Sequence, residues 1–174
     1  LQTPPPYDPV KDFAPITLVA STPNVLLANV TAPAKNVAEL ISLAKSQPGK
    51  LNFGSTSLGG SPHMSGELLK SQAKIQMVHV PYKGAALAVT DLIGGTLDAM
   101  VAVNSTFGGN IKSGRLRVIG VASEKPHPAY PGVPTLNTVA PGFAVGLWTG
   151  IFVPAGTPPA IMQRLNREIN EIAK

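Results

Sequence analysis

Between residues 51 and 122 the chain repeats one pattern: a short apolar run, a loop of small or polar residues, and a segment of helical composition. Leu51 to Ser55 reads as a strand, Thr56 to Ser61 as a Ser/Gly loop, and Pro62 to Ser71 as a helix. Ser61 is its expected cap and Pro62 its first helical residue. Ile75 to Val80 is the next predicted strand, Pro81 to Gly84 a turn, and Ala85 to Ile93 a helix stopped by Gly94 and Gly95. Leu97 to Val103 is a further strand, Asn104 to Gly109 a loop with a helical turn reaching Ser113, and Leu116 to Ala122 a last strand. Strands alternating with helices form βαβ units, so the expected class is α/β, a mostly parallel or mixed sheet flanked by helices.

The flanking sequence is less regular. A Pro-rich lead, Thr3 to Pro9, excludes regular helix. Ile16 to Ala20 and Val25 to Val30 read as two strands separated by Ser21-Thr22-Pro23-Asn24. Asn36 is placed to cap a helix with Glu39 at the third position, a capping box, and Val37, Leu40, Ile41 and Ala44 form its apolar stripe up to Pro48-Gly49. Five prolines between residues 124 and 142 predict an extended surface connection. Val145 to Val153 then reads as a strand, and a helix capped at Thr157 closes the chain. That helix carries Ile161, Leu165, Ile169 and Ile172 on one face and expects i,i+4 pairs Arg164/Glu168 and Arg167/Glu171.

Composition narrows the chemistry. The 174 residues contain no cysteine, which removes thiolate nucleophiles, disulfides and Cys-ligated metal centres. A chain of this length buries a sizeable core without such staples. The net charge of +5 resides wholly in residues 13–123, which hold nine Lys and Arg against four Asp and Glu. These cations are scattered singly with little aromatic interleaving, so the field suits a small anion and not a nucleic-acid groove.

Ligands of open α/β sheets bind beyond the carboxyl ends of the strands. The first such end, Ser55-Thr56-Ser57-Leu58-Gly59-Gly60-Ser61, offers hydroxyls, glycines that admit close approach, and the free N–H groups of a helix start, with His63 one turn further on. The second, His79-Val80-Pro81-Tyr82-Lys83-Gly84, adds an aromatic ring, a cation and another helix start. The third, Asn104-Ser105-Thr106, supplies amide and hydroxyl donors. Each loop alone has an ordinary structural reading as a helix cap or surface turn; their convergence points to an anion-binding edge. No catalytic set assembles. His63 and Glu67 lack a second histidine for a metal, GxSxG and GxGxxG are absent, and the Gly59-Gly60 loop lacks the phosphate-loop lysine. No cofactor and no metal are expected.

Several of these segments together resemble a known family. They are Tyr7-Asp8-Pro9-Val10-Lys11-Asp12-Phe13-Ala14-Pro15-Ile16, Ala38-Glu39-Leu40-Ile41, Pro48-Gly49-Lys50-Leu51, the loop Gly54 to His63, His79-Val80-Pro81-Tyr82-Lys83-Gly84, Asp91-Leu92-Ile93-Gly94-Gly95, Ser113-Gly114-Arg115-Leu116-Arg117, and Trp148 with Pro154-Ala155-Gly156-Thr157-Pro158. The chain resembles, over nearly its whole length, the Bug-type extracytoplasmic solute receptors of tripartite tricarboxylate transporters. The resemblance implies an exported, periplasmic, non-enzymatic protein with two lobes. Such a protein closes on a small carboxylate (a di- or tricarboxylate, an acidic amino acid or an aromatic acid) and delivers it to a membrane permease.

Family members are nearly twice as long, and no first-lobe opening segment is found here, so the resemblance implies a fragment. Residues 1–20 would be a lead and first hinge strand, 21–122 the second lobe, and 123–174 a return to an incomplete first lobe. Weak or absent ligand affinity, and dimerisation or swapping through uncovered first-lobe faces, are then expected. The ligand residues implied are Ser55, Thr56, Ser57, Gly59, Gly60, Ser61, His63, Tyr82, Lys83, Gly84 and Asn104. Two other readings stand beside this one: a module that signals a bound carboxylate to a membrane sensor, and a small-molecule enzyme using His63 or His79.

Overall fold

A computed structural model describes residues 6–173, Asn104 through its backbone alone; the beginning of the Pro-rich lead lies outside them. The chain divides into a larger unit, Thr22–Leu147, and a smaller one made of residues up to Ser21 together with those from Trp148 onward.

In chain order the elements are β1 (Phe13–Asn29), α1 (Val37–Ser46), β2 (Asn52–Ser55), α2 (Ser61–Ala73), β3 (Val78–Pro81), α3 (Ala85–Gly94), β4 (Ala99–Val103), α4 (Gly108–Lys112), β5 (Leu116–Val121), β6 (Gly146–Pro154) and α5 (Pro159–Ile172). The sheet of the larger unit runs β3-β2-β4-β1-β5. β2 pairs in parallel with β3 and β4, and β1 is inserted antiparallel between β4 and β5. The sheet is therefore mixed through one strand, and the βαβ units of the sequence pattern supply the other four.

Both faces of this sheet are covered, which is why its central strands read as unbroken apolar runs. Leu26 and Ala28 of β1 with Ala99 and Val101 of β4 join Leu40, Ala44, Phe53 and Leu69 in one core, under α1 and α2. Val25 and Leu27 with Met100 and Ala102 join Ala88, Leu92 and Phe107 in the other, under α3. Successive side chains of a strand point to opposite faces, so the same few residues serve both layers. Gly66 belongs to this packing: a Cβ there would lie 2.2 Å from the Phe53 ring, so α2 can approach β2 only because the residue is glycine.

α1 forms as its sequence predicts. The Asn36 side chain accepts the Glu39 N–H at 3.0 Å. The Glu39 carboxylate reaches back to Lys35 N–H at 2.7 Å, one residue before its usual capping-box partner.

Four expectations fail. The two strands on either side of Ser21-Thr22-Pro23-Asn24 are one continuous strand, because Pro23 precedes the run of register partners that begins with Asn24 opposite Val103. The Pro-rich stretch is not a mere surface connection: Leu136, Ala140 and Phe143 are buried in the α1/α2 core, and Thr135 bridges to Val121. Prolines forbid long ladders there but not side-chain burial. The i,i+4 pairs of α5 do not form. Arg167 instead approaches Glu168 at 3.3 Å, and both are solvent-exposed. The α5 cap also differs: Pro158 is the cap position, and the Thr157 hydroxyl donates to Pro154 C=O at 2.7 Å.

The smaller unit is held differently. β6 pairs with β1, Ala155 N–H donates to Asp12 C=O at 2.9 Å, and Asn166 of α5 donates to Ile16 C=O at 2.6 Å. Tyr7, Pro9, Phe13, Trp148 and Phe152 line an open hollow of about 510 Å³. Among the described buried apolar side chains, Ile16 alone belongs to this unit.

Candidate functional site

Because β2, β3 and β4 are parallel, their carboxyl ends share one edge, and register places Ser55 level with Pro81. The antiparallel β1 brings Asn24 to that same edge, opposite Val103. Of the residues singled out in the sequence, Ser55 ends β2, Thr56, Ser57, Gly59 and Gly60 lie in the β2–α2 loop, and Ser61 and His63 lie in the first turn of α2. Tyr82, Lys83 and Gly84 form the β3–α3 loop, and Asn104 opens a 3-10 turn (Asn104–Thr106) after β4.

The α2 terminus is built to leave donors free. Gly60, and not the expected Ser61, is its cap residue, and no side chain caps it among the described residues. α3 begins in the same manner at Gly84. The first N–H groups of a helix have no partner within it, so an uncapped start at a strand end offers hydrogen bonds and a positive dipole to an anion. Gly59 has φ +78, a left-handed turn that needs glycine, and a Cβ on Gly60 would lie 2.1 Å from Ser57 Oγ. Both glycines thus fix the path of the loop past the helix start.

Under the loop lies a stacked histidine pair. Ser55 is fully buried; its hydroxyl donates to Ser57 C=O at 3.1 Å and lies 2.8 Å from His79 Nε2. The direction of the Ser55–His79 contact depends on the tautomer of His79. His63 stacks on His79 with ring centroids 4.0 Å apart, and His63 Nδ1 accepts Gly59 N–H at 2.9 Å. Neutral His63 therefore carries its proton on Nε2, which is 3.9 Å from Glu67 Oε1. Glu67 is itself paired with Lys70 at 2.8 Å, and Lys70 Nζ lies over the Phe53 ring at 5.4 Å. Burial, and next the positive charge that His63 can acquire, hold His79 below the usual histidine range.

The remaining contacts sort the other residues. Ser61 Oγ and Ser65 Oγ each accept from Asn24 Nδ2 at 2.7 Å. Asn24 is fully buried, and its Oδ1 has no hydrogen-bond partner among the described residues. Tyr82 donates to Asp91 at 2.6 Å, and burial followed by that carboxylate raises its phenol to about 12. Its ring packs 3.3 Å from where a Gly54 Cβ would stand. Lys83 is exposed.

Asn24 also reaches this edge although spacing did not select it, because only the antiparallel return of β1 brings it there; His79, named at the second strand end, is set beside Phe53 by the register. A buried serine hydrogen-bonded to histidine resembles a nucleophile and its base, but here the serine is fully buried and its hydroxyl donates to Ser57 C=O. Ser55 is also closed to substrate. Among the described residues no three His, Asp or Glu side chains gather as metal ligands, and no helix is long and apolar enough to cross a membrane.

A family model described as "Tripartite tricarboxylate transporter family receptor" matches residues 2–173. The "UPF0065 protein in tcbD-tcbE intergenic region" of Pseudomonas sp. (strain P51) is 40% identical over 168 residues, 95% of this chain and 50% of that protein. Among solved structures, R. palustris Rpa4515 with adipate superposes with a TM-score of 0.80 at 32% identity, covering 94% of this chain and 55% of the other. MatC from Rhodopseudomonas palustris with bound malate gives 0.78 at 32% identity, covering 95% and 57%. The chain spans about half the length of the curated relatives it matches.

Proposed function

Because the chain belongs to the tripartite tricarboxylate transporter receptor family, we propose that it binds a small organic carboxylate at the strand-end edge and presents it, outside the cytoplasm, to the transporter's membrane component. The observation that carries this reading is the uncapped start of α2 beneath the Ser/Gly loop. A carboxylate seated there completes the donors of the first helical turn, as a capping side chain does elsewhere.

In this reading Thr56, Ser57 and Ser61 supply hydroxyls, Gly59 and Gly60 admit the ligand to the backbone, and His63 and Ser55 hold the loop from below. The α3 start at Gly84, with Tyr82 and Lys83, and the turn at Asn104 border the same site. Lys83, being exposed, contributes general field and little directed binding energy. Adipate and malate bound to the similar structures support a dicarboxylate as the first candidate. In this reading the protein is a binder and not an enzyme, which the burial of Ser55 favours.

Calorimetry of this chain with malate, adipate and citrate tests the proposal. Binding of at least one is expected, with Gly60→Val weakening it by about tenfold or more, because the new side chain displaces Ser57 into the path of the ligand. Heats indistinguishable from dilution for all three acids, or an unchanged affinity in the Gly60→Val protein, would refute the assignment.

A further inference from the structure

The carboxylate site rests on a loop whose shape is held by an unprotonated imidazole nitrogen. Gly59 N–H donates to His63 Nδ1 at 2.9 Å, at the left-handed turn that shapes the loop. The His63 ring is in turn held by its 4.0 Å stack on His79, and His79 by Ser55, whose proton goes to the carbonyl of Ser57 in the same loop. Both ends of the loop are therefore tied to one histidine pair. We propose that His63 is a positioning residue of the ligand loop and that carboxylate binding weakens as the pair takes up a proton. The inference deepens the binding reading above and rests on it.

The physical reason is the single lone pair at Nδ1. A proton added there faces the Gly59 N–H, so two donors oppose each other and the bond is lost. Either the ring leaves its stack or the loop leaves its turn. The groups that face the pair are known from every element around it. α2 supplies Glu67, which favours protonation, and Lys70, which opposes it; β3 supplies His79 itself; β2 supplies Ser55 and the apolar ring of Phe53. Glu67 is already occupied by Lys70 at 2.8 Å, so it compensates a new charge only in part. The stacked rings sit too close for two charges to be carried together without mutual repulsion.

A positive imidazole also attracts an anion, and the two effects have opposite signs: simple attraction raises affinity on acidification, whereas loss of the latch lowers it. Adipate is titrated calorimetrically into this chain from pH 8 to pH 6, where its carboxyl groups stay ionised, alongside His63→Asn and His63→Leu. In ligand-free samples the Gly59 amide and the histidine rings are followed by NMR. Asn Oδ1 stands where Nδ1 stood and accepts the same N–H without titrating.

The expected result is a loss of about tenfold in wild-type affinity on acidification, a flat profile for His63→Asn, and weak binding at every pH for His63→Leu. The Gly59 amide should move with the His63 ring in the wild type and stay fixed in His63→Asn. Affinity that rises or stays level on acidification, or a Gly59 amide that is stationary while His63 titrates, overturns the proposal. If adipate gives no heat with any protein at any pH, the carboxylate reading and the binding half of this inference fall together, while the Gly59 amide still decides whether the latch exists.

Discussion

His79 shows how a single residue couples the site to the stability of the fold. Burial and the neighbouring His63 hold its native pKa below the ordinary value of 6.5. Above that value the histidine is neutral in both states and contributes no pH dependence. Below it the unfolded chain binds a proton that the native chain refuses, so stability falls as the pH drops from about 6.5 towards the native pKa and levels off beneath it. His79→Gln keeps a hydrogen-bonding amide near the position of Nε2 for Ser55 and cannot titrate. Its melting temperature should therefore decline less between pH 7 and pH 5 than that of the wild type, measured by calorimetry; equal declines would mean that His79 is not the group responsible.

At the scale of elements, the helix starts divide by what they do. α1 is closed by its own Asn36, whose side chain accepts Glu39 N–H and donates to Glu39 Oε1 at 2.8 Å. Asn36→Ala should cost about 1 kcal/mol. For a chain of this size that lowers the melting temperature by roughly 2–4 °C, with no change in carboxylate binding because α1 begins away from the strand-end edge. An unchanged melting temperature would show that Glu39 alone suffices.

This division also marks what the sequence revealed. The α/β class was legible because periodicity and Gly/Pro punctuation are local, as at Gly95, where a left-handed residue ends α3. The loop from Ser55 to His63 was legible because small residues before a proline signal a helix start. Two things were not. Pro23 looked like a break, yet β1 runs through it, since a strand's continuity is decided by its neighbours and not by its own residues. Ser61 looked like a cap, yet its hydroxyl answers Asn24 from a strand distant in sequence, a tertiary contact that no local propensity encodes.

For the molecule as a whole, burial is uneven. The Val25–Ala28 segment of β1 is essentially inaccessible, whereas α5 has no buried residue among those described. Opening free energies follow burial, so amides of α5 should exchange with deuterium about 100-fold faster or more than those of Val25–Ala28. Equal protection in a mass-spectrometric exchange experiment would show that α5 is stabilised by something other than its contacts within this chain.

The placement of β1 also governs how the chain reaches this structure. An interior strand of the larger unit, β1, is the first to be made, yet its ladder partners there, β4 and β5, come late in the sequence. During synthesis Val25-Leu26-Leu27-Ala28 must wait, unpaired and sticky, until most of the chain has emerged. Such long-range closure makes folding slow and exposes an aggregation-prone segment meanwhile. A holding chaperone that recognises short apolar strands would find its natural target there, and refolding yield should fall steeply as protein concentration rises.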